Sequence, residues 1–397
     1  MNVDAATTEE GDGLVPCTMA ELLGYFLVLG TTGFGGPIAL AGYMQRDLVE
    51  RRRWISRQDY VEGLALAQLM PGPLAAQLAM YLGWVRGRVL GATLVGIAFV
   101  LPSFVMVLGL SVLYVRYGGL SWMQGVFYGV GAAVIAIIAR SAWKLVRLTL
   151  RRDRLLWFLF VVSALVTAWT ESEIVWVFLA SGVVALLVKA PPRRGTALAL
   201  ALGPWPAWLV SGLHGPAATG TLWNIARYFT EAGTFVFGSG LAIVPFLYGG
   251  VVGRYHWLDE RQFVDAVAVA MITPGPVVIT VGFIGFLTAG LAGAVVAAAG
   301  TFLPCWFFTV VPAPYFRRIA QNVRVQAFVD GVTAAATGAI AGAAFVLGRR
   351  ALFDLPTIAI GAATLLVLVR WKKVPEPLVI LAAGAIGWML RHSGAAS

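Results

Sequence analysis

The sequence predicts an all-α polytopic membrane protein made of two homologous halves, each with helices that glycine and proline interrupt. Hydrophobic residues make up 59% of the 397 residues, charged residues only 12%, and the mean hydropathy is +0.82. A soluble domain carries about 25% charged residues, so this chain cannot form a water-facing surface. The segment from Gly30 to Pro73 also recurs from Gly233 to Pro276, at a constant offset of 203 residues and without a gap. Matched broken apolar segments are typical of transporters built from inverted repeats, with the substrate site between the repeats.

The elements follow in order from the apolar runs. We divide the chain into a polar tail (1–18) without the charge pattern of a signal peptide, a first repeat (19–190), a connecting segment (191–220) and a second repeat (221–397). Apolar runs that suit a bilayer core recur along both repeats. The predicted spans are Val89–Val115, Trp122–Ala139, Leu155–Trp169, Ile174–Val188, Leu198–Leu213, Gly293–Val311, Ala327–Leu347, Thr357–Val369 and Pro377–Leu390.

The basic residues cluster in five loops, which the positive-inside rule assigns to the cytoplasm. Three full crossings between the first two clusters would place one of them outside. The conflict disappears if Val61–Trp84, which is broken at Pro71-Gly72-Pro73, enters and returns on one side as a re-entrant hairpin. A contiguous kinked helix is the alternative. The five clusters are Arg46–Arg57, Arg140–Arg154, Lys189–Arg194, Arg317–Arg324 and Arg370–Lys373.

The loop charges favour opposite orientations for the two copies. The first charged loop, Arg46 to Asp59, holds five arginines against three acids, a net charge of +2. Its counterpart, Gly249 to Gln262, has two of each and a net charge of zero, which fits a position outside the cytoplasm. The basic pair Arg349-Arg350 would then also lie outside, which counts against this topology.

The remaining composition excludes several classes of protein. The net charge of +10 is explained by cytoplasmic loops, and nucleic acid is not an expected partner because the arginines lie between spans. Cys17 and Cys305 share no motif, and the sequence has no metal-ligand cluster, no phosphate-binding loop and no Ser-His-Asp grouping. We therefore expect no metal, no cofactor and no enzymatic activity.

Two glycine-rich interruptions occupy equivalent positions in the repeats. Glycine permits unusual backbone angles and close approach, and Pro37 lacks a backbone N–H. Tight helix packing by small residues would also explain these glycines. Their repetition beside two Pro-Gly-Pro breaks favours a functional role. The expected substrate-binding residues are Phe34, Gly35, Gly36, Pro37, Phe237, Gly238, Ser239 and Gly240.

The two Pro-Gly-Pro breaks are the second part of the predicted site. Half-helices that begin there would present N–H donors and positive dipole ends to an anion, with side-chain donors within about two turns. A simple proline kink is the alternative. The predicted binding residues are Gln68, Pro71, Gly72, Pro73, Gln77, Thr273, Pro274, Gly275 and Pro276, with Thr280 as a further donor.

Helix starts precede both breaks, and each has an acid one turn inside. Ser56 with Asp59, and Asp259 with Gln262, are typical N-cap pairs. The acids that follow, one per repeat, either carry coupling protons or stabilise the helix start through its dipole, and the second explanation is the simpler one.

Four charged residues are therefore candidates for coupling or for attraction of the anion. Glu62 and Asp265 are the equivalent acids. Arg86 and Arg88, just after the first break, either attract an anion to the mouth of the site or anchor the topology.

These motifs together resemble the chromate ion transporter family, in particular its long, two-domain bacterial members. The residues that carry the resemblance are FGGP before a charged loop, W-[IL]-x-x-x-[DQ]-[YF]-V-[ED], A-x-A-x-x-x-PGP and the later Leu101-Pro102 and Leu303-Pro304. They cover roughly Glu21–Leu113 and Trp223–Val311. The second copy reads FGSG where the first reads FGGP, so we expect unequal roles for the two halves.

The resemblance implies a secondary transporter that exports chromate from the cytoplasm across the bacterial inner membrane and confers chromate resistance. Sulfate or another oxyanion is the alternative cargo and the expected competitor, because chromate and sulfate share shape and charge. Membrane lipids are the other expected partner, and a homodimer is left open. Leaving a negative-inside cell is worth about 2.3 kcal/mol per charge per 100 mV, or about 4.6 kcal/mol for a dianion, so membrane potential or the proton motive force could drive export. A passive channel and a membrane-embedded enzyme are the less favoured alternatives.

Overall fold

The computed structural model describes residues 14–34, 36–117, 121–150, 153–170, 175–190, 220–235, 237–238, 243–316, 322–352, 354–371, 374 and 376–392. The predicted span Leu198–Leu213 and nearly all of the connecting segment lie outside the described residues. The described chain is almost entirely helical, which confirms the predicted all-α class.

The first half begins with three helices and a π-helical turn before its break. Its elements are α1 (Met19–Thr32), α2 (Gly36–Met44) with a π-helical turn at Gln45–Arg51, α3 (Arg57–Leu69), the two-residue strand β1 (Gly72–Pro73), α4 (Leu74–Tyr117), α5 (Ser121–Thr149), α6 (Arg154–Thr170) and α7 (Val175–Lys189).

The second half repeats the order of the first helices, but its strand lies at the glycine-rich interruption and not at the Pro-Gly-Pro break. Its elements are α8 (Gly220–Phe235), the strand β2 (Phe237–Gly238), α9 (Ile243–Tyr248) with a π-helical turn at Gly249–Arg254, α10 (Glu260–Ile272), a 3₁₀ turn at Val277–Ile279, α11 (Thr280–Val310), a 3₁₀ turn at Ala313–Tyr315, α12 (Val323–Ala351), α13 (Leu355–Arg370) and α14 (Glu376–His392).

The helix starts before the breaks are capped as the sequence predicts. The Ser56 side chain accepts a hydrogen bond from the Asp59 backbone N–H at 3.0 Å. Asp259 accepts from the Gln262 N–H at 2.8 Å, and the Gln262 side chain accepts from the Asp259 N–H in return. The residue before each helix-start tryptophan, Arg53 or His256, has a left-handed backbone with φ near +50°. The duplication therefore extends to backbone geometry that the side chains alone do not reveal.

The first Pro-Gly-Pro segment is the tip of a helical hairpin. Gly63 on α3 and Tyr81 on α4 lie eight residues on either side of the break, yet a Cβ on Gly63 would overlap the Tyr81 ring. In a contiguous kinked helix these residues would lie roughly 27 Å apart. Arg86 also donates a hydrogen bond to the Trp54 carbonyl, which joins the two ends of the hairpin. The structure thus has a hairpin at this break and not a contiguous kinked helix, and the return to one side of the membrane stays a prediction.

A second reversal follows within the segment labelled α4. Gly87 and Arg88 leave helical geometry, with φ of −140° and +53°, and a Cβ on Gly83 would overlap the backbone of Gly91. Residues 74–86 and 89–117 are therefore separate helices lying side by side. Helix α11 turns back in the same way at Ala289 and Gly290 (φ −147° and +62°). Only closely spaced glycines allow the two backbones to approach this far.

Three described stretches are long and apolar enough to cross a membrane: Leu74–Tyr117, Val277–Tyr315 and Val323–Val346. The 89–117 arm is about 43 Å long, which exceeds the roughly 30 Å of a hydrocarbon core. The shorter apolar helices pack around this centre, α6 and α7 against α12, and α13 and α14 against α5. Their outer faces carry exposed tryptophan and leucine, as expected for contact with lipid. The opposite orientation of the two copies stays a prediction.

Candidate functional site

The glycine-rich interruption of one half meets the Pro-Gly-Pro break of the other. Strand β1 pairs with β2 in parallel, so that Gly72 lies opposite Phe237 and Pro73 opposite Gly238. On the other side, the Gly275 N–H donates to the Gly33 carbonyl at 2.8 Å. In both contacts a glycine-rich interruption of one half bonds to the Pro-Gly-Pro break of the other half. The two interruptions and the two breaks therefore lie side by side, and we call this place the crossing.

Gly275 has no room for a side chain. Its φ is +98°, and a Cβ there would overlap Oγ of Ser103 and lie 3.2 Å from the Gly30 carbonyl oxygen. Ser103 in turn donates to that Gly30 carbonyl at 3.1 Å. Glycine is therefore required by both backbone angle and space. Gly72 has φ of +137°, but its nearest neighbour is the flexible amide end of Gln77.

Three helix starts converge at this crossing. A small cavity of about 10 Å³ is lined by Pro37 at the start of α2, by Pro73 and Ala75 at the start of α4, and by Gly275–Val278 ahead of α11. The first N–H groups of a helix have no intrahelical partner, and the N-terminus carries a partial positive charge. Pro37, Pro73 and Pro276 contribute no N–H, so the donors available here are the backbone N–H groups of the residues that follow them.

Gln77 is a buried polar residue at the first break. It is 0% exposed, and its Nε2 donates to the Pro71 carbonyl at 2.6 Å, which satisfies an acceptor that the break leaves free. Its Oε1 has no partner among the described residues. A buried polar atom left without a partner costs about 1–3 kcal/mol, so this oxygen marks a position where water or a ligand hydroxyl would bind.

The other predicted side-chain donors differ in position. Thr273 is buried at the end of α10 and bonds the Ala270 carbonyl at 3.0 Å, while Thr280 bonds the Val277 carbonyl at 2.7 Å. Gln68 lies on the exposed face of α3, so the structure does not bring it to the crossing. Phe34 is half-buried beside the crossing, and Gly36 begins α2. Gly35, Ser239 and Gly240 lie outside the described residues.

A larger cavity of about 470 Å³ lies beside the first hairpin. We call it the vestibule; it is lined by Asp59, Glu62, Tyr81, Trp84, Ala313, Pro314 and Tyr315. Tyr315 is 64% exposed, so the vestibule reaches the surface. Glu62 is half-exposed within it and accepts hydrogen bonds from Gln58 at 3.1 Å and from the Tyr81 hydroxyl at 3.4 Å.

Asp265, the equivalent of Glu62, has a different environment. It is only 3% exposed and accepts a hydrogen bond from the Tyr114 hydroxyl at 2.8 Å. Helix α10 packs against α11 across the second break, so this break is also the tip of a hairpin, which we call the second hairpin. Tyr114 belongs to α4, so its bond to Asp265 joins the second hairpin to the first half. Glu62 and Asp265 occupy equivalent positions in the two repeats, but Asp265 is buried and Glu62 is half-exposed.

The two arginines after the first break are engaged by neighbours. Arg86 donates to the Trp54 carbonyl, and the Arg88 guanidinium lies over the Trp84 ring at 4.8 Å from its centroid. Both residues are exposed at the end of the hairpin next to the vestibule. The Arg86 contact positions the loop before α3, whereas Arg88 packs on Trp84 of the preceding helical arm.

Ser103 and Tyr114 are residues of the site that the sequence did not indicate. Ser103 follows Leu101-Pro102, whose recurrence at Leu303-Pro304 could have marked it as part of the repeat. No pattern marks Tyr114. Among the described residues, no group of three or more His, Cys, Asp or Glu side chains is placed to hold a metal ion.

Comparisons with known proteins agree on one family. The sequence profile described as "Chromate transporter" matches residues 20–186 and 223–388. A "Chromate transport protein" of Cupriavidus metallidurans is 61% identical over 373 residues, 93% of this chain and 92% of the relative. A "Probable chromate transport protein" of Synechococcus elongatus is 57% identical, over 93% of this chain and 95% of the relative. A "Chromate transport protein" of Pseudomonas aeruginosa is 34% identical, over 94% and 93%. No solved structure matches this chain.

Proposed function

The chain belongs to the chromate transporter family, and from this premise we propose that it is a secondary transporter that exports chromate across the bacterial inner membrane. The observation that carries the proposal is the convergence of three helix starts at the crossing of the two halves. Backbone N–H groups and helix dipoles suit a tetrahedral dianion, because they need no counter-charge buried in the membrane.

The residues that we assign to the anion are those of the crossing. Pro37, Gly72, Pro73 and Gly275–Pro276 supply the helix starts and the close backbone approach. Gln77 holds the first break through its bond to the Pro71 carbonyl, and its unpartnered Oε1, an acceptor, would meet the anion through a bridging water. The glycine-rich segments Phe34–Pro37 and Phe237–Gly240 belong to the same proposal.

The small cavity limits when the anion can bind. A volume of about 10 Å³ corresponds to about one water molecule. A tetrahedral oxyanion is larger, so the four broken segments must separate before it enters. We therefore infer a cycle in which the crossing opens toward one side at a time, as alternating access requires.

The membrane potential supplies enough energy for the outward direction. Two negative charges leaving a negative-inside cell are worth about 4.6 kcal/mol at 100 mV, equivalent to a concentration ratio of more than a thousand. Export therefore needs no ATP. Proton coupling would add to this energy, and its candidate groups are Glu62 and Asp265. Arg86 and Arg88, exposed after the first break, would attract the anion to this end of the hairpin, outside the vestibule whose lining holds the carboxylates of Asp59 and Glu62.

Sulfate or another oxyanion is the second candidate cargo. A site made of N–H groups recognises shape and charge, which chromate and sulfate share, so its geometry separates them poorly. The relatives named for chromate support chromate as the cargo here. Membrane lipids contact the apolar outer faces, and a homodimer is compatible with those faces.

The test is uptake of labelled chromate by inside-out membrane vesicles that carry the protein. We expect uptake that depends on an inside-positive potential and that sulfate reduces. Absence of potential-dependent uptake above that of empty vesicles would refute the proposal. Equal uptake of labelled sulfate would make sulfate the cargo.

A further inference from the structure

The hydrogen bond between Asp265 and Tyr114 lies between the two halves, close to the second break. Asp265 precedes Thr273, the last residue before that break, by eight residues, or about two helical turns. Its carboxylate accepts from the Tyr114 hydroxyl at 2.8 Å. The second hairpin cannot move away from α4 without breaking this bond.

The surroundings of this pair are apolar. The Tyr114 ring contacts Phe127 and Phe283 edge to face, with centroids 5.5 Å and 5.3 Å away. The charged groups that act on the Asp265 carboxyl are Arg261 and Asp259, both at the start of its own helix, and neither forms an ion pair with it among the described residues. Helix α10 packs against α4, α5, α11, α14 and the π-helical turn at Gly249–Arg254, and among the described residues of these elements the polar partner of the Asp265 carboxyl is the Tyr114 hydroxyl.

A carboxylate in such a place is costly to keep charged. Burial of a charge without a cation partner is unfavourable, and uptake of a proton removes that cost. Exchange of the proton requires water, which reaches Asp265 only if the hairpin leaves Tyr114. Proton exchange is therefore tied to movement of the second hairpin.

Glu62 occupies the equivalent position without this constraint. It faces the vestibule, where water has access in the state described here. The difference has a structural cause: α4 continues to Tyr117 and carries Tyr114 onto Asp265, whereas α11 ends at Val310 and is followed by Pro312 and Pro314. The segment after α11 that would cover Glu62, Ala313–Tyr315, instead lines the vestibule.

We propose that Asp265, held by Tyr114, is the binding site of a coupling proton, and that Glu62 is not. The inference rests on the proposed transport function. The carboxyl takes up a proton on one side when the second hairpin is released from α4, and it gives up that proton on the other side of the cycle. A proton then enters the cell as the anion leaves.

The experiment measures initial uptake of labelled chromate by inside-out vesicles at a clamped membrane potential. Uptake is compared with and without an imposed pH gradient in which the vesicle lumen is more acidic than the medium. The medium is kept alkaline so that chromate remains the dianion. We expect the gradient to accelerate uptake by the unmodified protein and by Glu62→Gln, the matched control. Asp265→Asn is expected to lose the acceleration while it keeps potential-driven uptake.

Two further variants decide the matter if Asp265→Asn takes up no chromate at all. Asp265→Glu should restore the response to the gradient. Tyr114→Phe should move the lumenal pH at which uptake is half-maximal to a higher value, because the Tyr114 hydroxyl stabilises the charged Asp265 carboxylate. Any one of three outcomes would overturn the inference. These are an unchanged half-maximal pH in Tyr114→Phe, a full response to the gradient in Asp265→Asn, and loss of that response in Glu62→Gln. Absence of uptake by the unmodified protein would instead refute the transport function.

Discussion

Replacement of Gly275 by alanine tests whether Ser103 and the left-handed backbone together hold the second break. A non-glycine residue at positive φ costs roughly 1–2 kcal/mol. The added Cβ also overlaps Ser103 Oγ, so that this hydroxyl must leave the Gly30 carbonyl and lose a hydrogen bond worth about 1 kcal/mol. We expect Gly275→Ala to lower the free energy of unfolding by about 2–3 kcal/mol.

The measurement is thermal unfolding of the detergent-solubilised protein, followed by tryptophan fluorescence. Gly109→Ala is the matched control, because nothing lies within 4 Å of a Cβ at that helical glycine. The double variant with Ser103→Ala should be about 1 kcal/mol more stable than the sum of the single variants predicts, since both lose the same hydrogen bond. Stability of Gly275→Ala equal to that of Gly109→Ala, or strict additivity with Ser103→Ala, would refute the reasoning.

Three more perturbations follow from contacts outside the crossing. Arg86→Gln should lower stability by about 1 kcal/mol, because the hydrogen bond to the Trp54 carbonyl is lost; a variant of unchanged stability whose uptake has become insensitive to salt would instead indicate attraction of the anion. Lys189 bonds Asp153 at 2.7 Å and holds the pKa of Asp153 below its ordinary value. Asp153→Asn should therefore melt at a lower temperature at neutral pH, and the difference should disappear as the pH falls through the depressed pKa; a difference that persists in acid would contradict this. A cysteine in place of Tyr315, in a background without other reactive thiols, should react several-fold faster with a cationic than with an anionic thiol reagent at low salt, because two carboxylates line the vestibule; equal rates would show that these carboxylates do not set the local potential.

The sequence was sufficient for those parts of the fold that local chemistry determines. The doubled segment, the N-caps at Ser56 and Asp259 and the breaks at the two Pro-Gly-Pro motifs each follow from residues close together in the chain. The count of positive loops also required a hairpin where the structure has one. In each case the cause lies within a few residues of its effect, so a pattern can reveal it.

The contacts between the halves could not be predicted in the same way. Glu62 and Asp265 are equivalent in the repeat, and only the longer reach of α4 brings Tyr114 to one of them. Gln68 was expected at the site because of its distance along the chain from the break, but the rotation of α3 directs it outward. Ser103 meets Gly275 because two backbones pack against each other, and one sequence alone does not record such pairs.

The crossing of the two strands has a consequence for how the protein is made. Phe237, the partner of Gly72, lies 165 residues further along the chain. At about 5–20 residues per second, a ribosome needs on the order of 10–30 s to synthesise that distance. During this interval the first hairpin stands in the bilayer with backbone groups unpaired, each at a cost of several kcal/mol. The first half is therefore an unfinished intermediate that depends on the arrival of the second, and a chain that stops between them should be a target for membrane quality control.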